Sequence, residues 1–217
     1  MVPSRRSFVL GLTGNIACGK STVLAMLHEL GAEPVDADAV YHALIEPGEP
    51  LWAALRAEFG PEIVTANGQI DRHALGARVF ADPAELARLD ALTHPAVVAE
   101  IERRIETTAA DVIVIDAVKL FESGLAAACD AIWLVTSPPE VQIARLIARN
   151  GLSRAQAVAR VAAQPSIEAK LARAGAVIDN GGDLAATRRQ VEEAWTALRD
   201  SGAERADEES GGKGRQI

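Results

Sequence analysis

A glycine-rich stretch between two apolar runs restricts the fold of this chain more than any other feature. Residues 8–12 form an apolar run of strand length, residues 14–21 read GNIACGKS, and the residues that follow have helical spacing. Glycines let the backbone curve so that its amide groups point inward, and the start of a helix adds a partial positive charge. The order strand, loop, helix therefore predicts a phosphate-binding loop for a nucleoside triphosphate, with Lys20 on the β- and γ-phosphates and Ser21 on Mg²⁺.

Four more apolar runs of strand length follow, and helical segments separate them. They cover residues 32–40, 111–118, 130–136 and 174–180. The first of these strands is expected to finish in Asp36-Ala37-Asp38, so that both aspartates, two residues apart, face the same side. Strands that alternate with helices predict an α/β fold with a five-stranded parallel sheet flanked by helices.

Two stretches between predicted strands are longer than a single connecting helix requires. They predict the domain organisation. Residues 41–110 are nearly all helical, and Pro95 is expected to end one helix and begin the next. The second stretch is also helical and carries a pair of arginines, as a closing lid would. The predicted parts are a nucleotide-binding core at 1–40, 111–137 and 174–200, a helical substrate domain at 41–110, a lid at 138–173 and a disordered tail at 201–217.

Composition narrows the range of partners. The 217 residues carry a formal net charge of -8, which argues against nucleic acid as the main partner because phosphate backbones favour basic surfaces. No apolar stretch reaches membrane-spanning length, so we expect no membrane partner. The two cysteines form no disulfide framework, which fits a reducing compartment and a cytoplasmic location.

The loop indicates the phosphate donor but leaves the acceptor open. A switch GTPase would need a base-reading motif such as Asn-Lys-x-Asp, which is absent, and the small size disfavours an ATP-driven motor. A small-molecule kinase needs a pocket beside the loop, a carboxylate for the acceptor hydroxyl and a lid with arginines. The alternatives that stay open are kinases for different acceptors, such as a nucleoside monophosphate or a sugar acid, and a regulatory ATPase without an acceptor.

The chain resembles the dephospho-coenzyme A kinase family in several motifs and in their order. The resemblance is carried by the phosphate loop, the Asp-Ala-Asp that follows it, GQIDRHALGARVFADP at 68–83, LTHP at 92–95, KLFESGL at 119–125 and the lid with the final strand. It implies a P-loop kinase fold with a helical substrate-binding insertion and a helical lid. The implied reaction uses ATP and Mg²⁺ to phosphorylate the ribose 3′-hydroxyl of dephospho-coenzyme A, giving coenzyme A and ADP.

These patterns and the resemblance together give a candidate site. Catalysis is assigned to Asp38, as the base, with Lys20 and Arg145; the alternative for Asp38 is capping of the following helix. The ATP-binding candidates are Gly14, Asn15, Ala17, Cys18, Gly19, Lys20, Ser21, Thr22, Arg149 and Asn180. The substrate-binding candidates are Thr13, Asp38, Arg72, His94 and Lys119. The candidate Mg²⁺ ligands are Ser21 and Asp116, which ends the apolar run VIVID.

Several positions depart from the family pattern. The family loop usually reads Gly-Gly-x-Gly-Ser-Gly-Lys, whereas Asn15, Ala17 and Cys18 stand in this chain. Alanine is expected to fit if its position is not left-handed. The Cys18 thiol, at a helix N-terminus beside a lysine, is expected to have a lowered pKa, unless it is a buried filler. Lys119 replaces a leucine, and it either supports an anionic substrate or projects into solvent.

Overall fold

The computed structural model describes the backbone of residues 6–211 and the side chains of residues 6–200. Five parallel strands form one sheet in the order β2-β3-β1-β4-β5. They are β1 (Phe8–Gly14), β2 (Glu33–Asp36), β3 (Val112–Asp116), β4 (Ala131–Thr136) and β5 (Ala176–Asp179). All five predicted strands and their parallel arrangement are confirmed.

The described residues contain nine α-helices, of which eight lie between strands and the last follows β5. Four of them lie between β2 and β3, where the helical insertion was predicted, and three lie between β4 and β5, where the lid was predicted. The helices are α1 (Lys20–Glu29), α2 (Ala37–Leu44), α3 (Pro50–Phe59), α4 (Arg72–Ala81), α5 (Pro83–Thr107), α6 (Pro139–Asn150), α7 (Arg154–Ala162), α8 (Glu168–Leu171) and α9 (Leu184–Gly211). None of these helices combines the length and the apolarity that a membrane span requires.

Alternate residues of each central strand bury opposite faces of the sheet. In β1, Leu10 and Leu12 join a core with α1 and α9, whereas Val9 joins a core with α2 and α5. All residues of β3 are buried, because helices cover both faces of the sheet there, as is typical of a central parallel strand. The insertion has its own apolar core among α3, α4 and α5. A small fourth cluster packs α6 and α7 against Ile16 and Ala17 of the glycine loop.

Helix α5 continues through Pro95, so the prediction that this proline separates two helices was wrong. Proline removes one backbone hydrogen bond from a helix interior. A helix can nevertheless continue through a proline when tertiary packing holds the turns before and after it. Here Thr93, Val97 and Ile101 are buried on one continuous face, and the Thr93 hydroxyl donates to the Leu89 carbonyl at 2.9 Å. Tertiary packing therefore outweighs the local breaker.

The C-terminal helix is longer than the sequence indicated. The tail was expected from residue 201, yet the backbone of α9 stays helical to Gly211. The segment RADEES contains arginine, alanine and glutamate, which have good helix propensity, so the helix continues without an apolar face. Residues 212–217 lie outside the described part of the chain.

The strand β2 ends at Asp36, two residues earlier than predicted. Asp36 is the N-cap of α2, and its Oδ1 accepts hydrogen bonds from the Asp38 and Ala39 amides at 2.8 and 3.2 Å. Asp38 therefore lies in the first turn of α2 and not on the strand, so the two aspartates do not share a strand face. The capping role that was the alternative for Asp38 belongs to Asp36.

Replacing Asp36 with alanine is expected to lower the free energy of unfolding by about 1 kcal/mol, because two amides of α2 lose their acceptor. Asp36→Asn keeps the capping oxygen and is the matched control, with an expected loss of only a few tenths of a kcal/mol. Urea denaturation followed by circular dichroism measures both values. Equal losses in the two variants would show that the charge of Asp36, and not its cap, stabilises this junction.

Candidate active site

The glycine loop leads directly into the first amide groups of α1. Gly19, the N-cap residue, has a left-handed backbone (φ 89°) and no side chain with which to cap the helix that begins at Lys20. The first amides of an uncapped helix bind anions well, because they lack intrahelical partners and lie at the positive end of the helix dipole. A side chain at Gly19 would collide with the Asn180 amide, so the site requires glycine for space as well as for backbone angle.

Two polar side chains, those of Arg145 and Asn180, hold the carbonyl groups of the loop. Arg145 Nη1 donates to the Ala17 and Cys18 carbonyls at 3.2 and 3.0 Å, and its Nη2 donates to the Asn180 carbonyl at 2.7 Å. Asn180 Nδ2 donates to the Cys18 carbonyl at 2.9 Å, and Asn180 Oδ1 accepts from the Thr187 hydroxyl at 3.0 Å. Both polar atoms of the Asn180 side chain are thus engaged in hydrogen bonds, one of which supports the loop.

A cleft of about 730 Å³ opens in front of the loop, and we call it the loop cleft. Most of the predicted nucleotide and metal candidates line it together, including Lys20, Asp116 and both lid arginines. Its lining comprises Asn15, Ile16, Ala17, Cys18, Gly19, Lys20, Ser21, Thr22, Asp38, Asp116, Val118, Arg145, Ala148 and Arg149. Arg149 is exposed, and among the described residues its guanidinium bonds only the neighbouring Asn150 side chain, at 3.1 Å.

Lys20 and Asp116 form an ion pair at the base of the loop cleft. Burial lowers the pKa of Lys20, and the positive charge of Lys170 acts in the same direction, while Cys18 and the carboxylates of Asp38 and Asp36 oppose the shift. Asp116 is paired in register with Asp36 at the carboxyl ends of β3 and β2. The sheet topology therefore gathers one lysine and several carboxylates at a single edge.

A second cleft of about 390 Å³ lies between α2, α5 and the loop after β3, and we call it the apolar cleft. Asp38 and Val118 line it as well as the loop cleft, so the two clefts meet at these residues. The other lining residues are Ala37, Tyr41, Leu89, Asp90, Thr93, His94, Val97, Ala117, Lys119, Ser123 and Leu125.

Polar groups are few in the apolar cleft and lie mainly around Asp90. Its Oδ1 is 3.3 Å from His94 Nε2 and 3.4 Å from Lys119 Nζ, so the predicted His94 and Lys119 are adjacent there. The Ser123 hydroxyl is buried and has no hydrogen-bond partner among the described residues. An unpaired buried hydroxyl that lines a cleft is a group on which a ligand can form a hydrogen bond.

Two predicted substrate residues lie outside both clefts. Arg72 contacts His42 and lines a separate hollow of about 270 Å³ on the insertion. Thr13 is completely buried, and its hydroxyl donates to the Val118 carbonyl at 3.2 Å beneath the junction of the clefts. Gly14 is the last residue of β1 and is packed beneath the loop. The structure therefore unites Asp38, His94 and Lys119 but not Arg72 or Thr13.

For the unusual loop residues, the condition that was set for Ala17 is not met, and the lowered pKa that was expected for the Cys18 thiol is wrong. Ala17 has φ 55° and is left-handed, so it occupies a backbone conformation that costs a non-glycine residue free energy. Cys18 is buried, and burial raises the pKa of its thiol although Lys20 and Arg145 act in the opposite direction. The buried filler that was the alternative for Cys18 is therefore the better description.

Sequence reasoning missed three residues that the structure brings to the site. Asp90 and Ser123 line the apolar cleft, and Lys170 of the lid is buried with its ammonium on the Asn15 side chain. Ser123 and Lys170 lie within motifs that carried the family resemblance, yet no spacing rule assigned them a role. Asp90 lies one helical turn before His94, which is the only local signal for that contact.

The fold and the loop cleft define the class of this protein. A parallel sheet, a phosphate loop after β1, an acidic residue at the end of β3 and a second cleft beside the loop are the features of a P-loop kinase of small molecules. The family is also clear from sequence, because a sequence model described as dephospho-CoA kinase matches residues 8–186. The chain belongs to the dephospho-CoA kinase family.

Individual relatives agree with that assignment. A dephospho-CoA kinase of Symbiobacterium thermophilum is 50% identical over 192 residues, which cover 87% of this chain and 80% of the relative. Among solved structures, TT1252 from Thermus thermophilus has a TM-score of 0.79 at 34% identity and covers 89% of this chain and 98% of that one. The dephospho-CoA kinase of Campylobacter jejuni has a TM-score of 0.65 at 26% identity with the same coverages.

Replacing Ala17 with glycine is expected to raise the free energy of unfolding by about 1 kcal/mol, because glycine adopts φ 55° without steric cost. The gain is the difference between the relief of this conformation and the larger backbone entropy of unfolded glycine. Thermal unfolding of both proteins measures it. Ala163→Gly, at a right-handed helix end, is the control and is expected to destabilise. A destabilised Ala17→Gly variant would contradict the left-handed assignment.

Both thiols are expected to react slowly in the folded protein. Burial raises the pKa of Cys18, and burial together with Asp130 raises that of Cys129 to about 12, so little thiolate exists near pH 8. Titration with a chromogenic disulfide reagent should give two rapid thiols in denaturant and slow reaction without it. Rapid labelling of one thiol in the native wild type, lost in Cys18→Ser, would show that Cys18 is activated after all.

Proposed function

We propose that this protein transfers the γ-phosphate of ATP to the ribose 3′-hydroxyl of dephospho-CoA, giving CoA and ADP. The observation that carries the proposal is the position of Asp38, whose side chain lines both the loop cleft and the apolar cleft. A carboxylate at the junction of a donor site and an acceptor site is where in-line phosphoryl transfer needs a group to orient the attacking hydroxyl. Membership in the family supports dephospho-CoA as the acceptor.

The nucleotide phosphates bind on the loop amides and on Lys20. Because Lys20 is paired with Asp116, it exchanges a carboxylate for phosphate oxygens when ATP enters. Its burial strengthens that contact, since charge interactions grow as water is excluded. Arg145 is fixed on the loop carbonyls and contributes a stationary positive charge, whereas the exposed Arg149 is free to approach the phosphates.

The residues at the loop cleft fit Mg²⁺. No group of three acidic, histidine or cysteine side chains among the described residues is arranged to hold a metal without help. Mg²⁺ does not require one, because it usually takes one or two protein oxygens together with phosphate oxygens and water. The Ser21 hydroxyl and the Asp116 carboxylate are hard oxygen donors of this kind, and the ion would neutralise charge on the β- and γ-phosphates.

The acceptor lies in the apolar cleft with its hydroxyl on Asp38. As the ribose oxygen bonds to the γ-phosphorus, the bond from that phosphorus to the ADP oxygen breaks, and the hydroxyl proton passes to the Asp38 carboxylate. The unpaired Ser123 hydroxyl provides one hydrogen bond inside the cleft. Lys119 and His94, both beside Asp90, provide positive charge or hydrogen bonds for the anionic parts of the acceptor.

The reaction takes place in the cytoplasm, and neither a membrane nor a nucleic acid is a partner. The two cysteines are free, as expected in a reducing compartment. The formal net charge of -8 disfavours a polyanionic macromolecule, so the anionic substrates depend on the few cations concentrated at the clefts.

Product formation from Mg-ATP tests the function directly. ADP release is measured with dephospho-CoA and, in parallel, with adenosine, AMP and gluconate, and mass spectrometry identifies a product heavier by one phosphate. Among these four acceptors, we expect turnover only with dephospho-CoA. Turnover with another acceptor would contradict the acceptor but not the kinase class, and hydrolysis without any acceptor would favour a regulatory ATPase.

Asp38→Asn is expected to lower kcat by about 10²-fold, the lower end for a general base, because phosphoryl transfer depends more on positioning and charge than on proton removal. The KM for ATP and the free energy of unfolding are expected to stay close to wild type, since Asp38 is exposed and not the cap. Asp36→Asn is the matched control and should retain most of kcat. Retained activity in Asp38→Asn with loss in Asp36→Asn would exchange the two roles.

A further inference from the structure

The lid carries a buried lysine whose charge has no counterion among the described side chains. Lys170 lies on α8 with 5% of its surface exposed. Its Nζ donates to Asn15 Oδ1 at 3.1 Å and to the Val118 carbonyl at 3.4 Å, which are both neutral oxygens. Lysine is rarely buried without a carboxylate, because the ammonium loses hydration that neutral acceptors replace only in part.

The contacts of Lys170 belong to a larger junction between lid and loop. The side-chain Nδ2 of Asn15 donates to the Pro165 carbonyl at 3.2 Å, so the lid holds both the nitrogen and the oxygen of the Asn15 carboxamide. The backbone amide of the next residue, Ile16, donates to the Gln164 side-chain oxygen at 3.3 Å. Residues 164–170 of the lid therefore contact the loop at two consecutive positions, one of which is the asparagine that departs from the family pattern.

The second acceptor of Lys170 lies at the junction of the two clefts. The Val118 carbonyl also accepts the Thr13 hydroxyl at 3.2 Å, and Val118 lines both the loop cleft and the apolar cleft. Lys170 itself lines neither cleft, so it acts on the site through the residues it holds. Its charge is nevertheless close enough to act on Lys20.

We propose that Lys170 is a positioning residue for phosphoryl transfer, which holds the Asn15 side chain and thereby the phosphate loop in its binding shape. This inference rests on the proposed function for its effect on turnover. The phosphates of the bound nucleotide balance the buried charge that no described carboxylate balances. Lys170 therefore stabilises the liganded protein more than the unliganded one.

This asymmetry separates a positioning role from a merely structural one. A structural lysine lowers the stability of the unliganded protein when it is removed. Removal of a buried charge without a counterion, in contrast, relieves the desolvation cost of that charge, so replacement by an apolar side chain of similar size is expected to leave the stability equal or higher. Methionine matches the length of the lysine stem, so Lys170→Met removes the charge with little change in packing.

The experiment compares Lys170→Met, Lys170→Arg, Asn15→Gly and the double variant Lys170→Met/Asn15→Gly. Arg160→Met is the matched control, because Arg160 is an exposed cation of the same lid, on α7. Calorimetry gives the Kd of Mg-ADP, thermal unfolding gives the midpoint without and with Mg-ADP, and the kinase assay gives kcat and both KM values. If Lys170→Met does not fold, Lys170→Gln replaces it in every measurement.

We expect Lys170→Met to weaken Mg-ADP binding about tenfold while the unliganded midpoint stays equal or rises. The KM for ATP should rise and kcat should fall, with the KM for dephospho-CoA unchanged. Lys170→Arg should restore most of the affinity, and the effects of Lys170→Met and Asn15→Gly should be less than additive, because the lysine acts through the asparagine. Arg160→Met should match wild type.

Unchanged Mg-ADP affinity in Lys170→Met would overturn the inference, and so would a lower unliganded midpoint together with a loss of affinity that Lys170→Arg does not restore. Fully additive effects of Lys170→Met and Asn15→Gly would overturn the action through Asn15. The binding measurements need no acceptor. A wild-type protein that binds Mg-ADP but does not phosphorylate dephospho-CoA would therefore overturn the proposed function and leave the test of Lys170 valid.

Discussion

The phosphate-binding loop depends on hydrogen bonds that its carbonyl groups accept from side chains distant in the sequence. Arg145 and Asn180 both donate to the Cys18 carbonyl, and they also contact each other. Because these donors occupy the carbonyls, the amides on the opposite side of the same peptide units can point toward a polyanion. The two supports come from α6 and from the residue after β5, so the shape of a short local motif depends on the folding of the whole sheet.

The order of the strands explains why the reacting groups meet. The β3 strand lies between β1 and β2, so the residues that end these three strands are neighbours, although a helical insertion of four helices separates β2 from β3 in sequence. Crevices at the carboxyl ends of parallel strands are the usual binding sites of open α/β sheets. Here α2 and α5 line the apolar cleft, α6 lines the loop cleft, and the two clefts are joined at Asp38 and Val118.

The sequence predicted those features that depend on local patterns. Buried strands, the glycine loop and the capped helices each follow from spacing or from a cap, and the structure contains them. The predictions that were wrong depended on residues distant in the sequence. Helix α5 continues through Pro95 because buried residues pack both before and after the proline, and surrounding residues bury Cys18. The support of the loop by Asn180 and the burial of Lys170 join residues that are far apart in sequence, and no pattern in one chain reveals such pairs.

The placement of Asp38 in the first turn of α2 ties its carboxylate to two separate cores. Ala37 and Val40 of the same helix pack against the sheet, whereas Leu44 at the far end also contacts the core of α3, α4 and α5. The position of Asp38 at the junction of the two clefts therefore depends on both cores together. A cavity opened in either core, although remote from the clefts, is enough to displace this carboxylate.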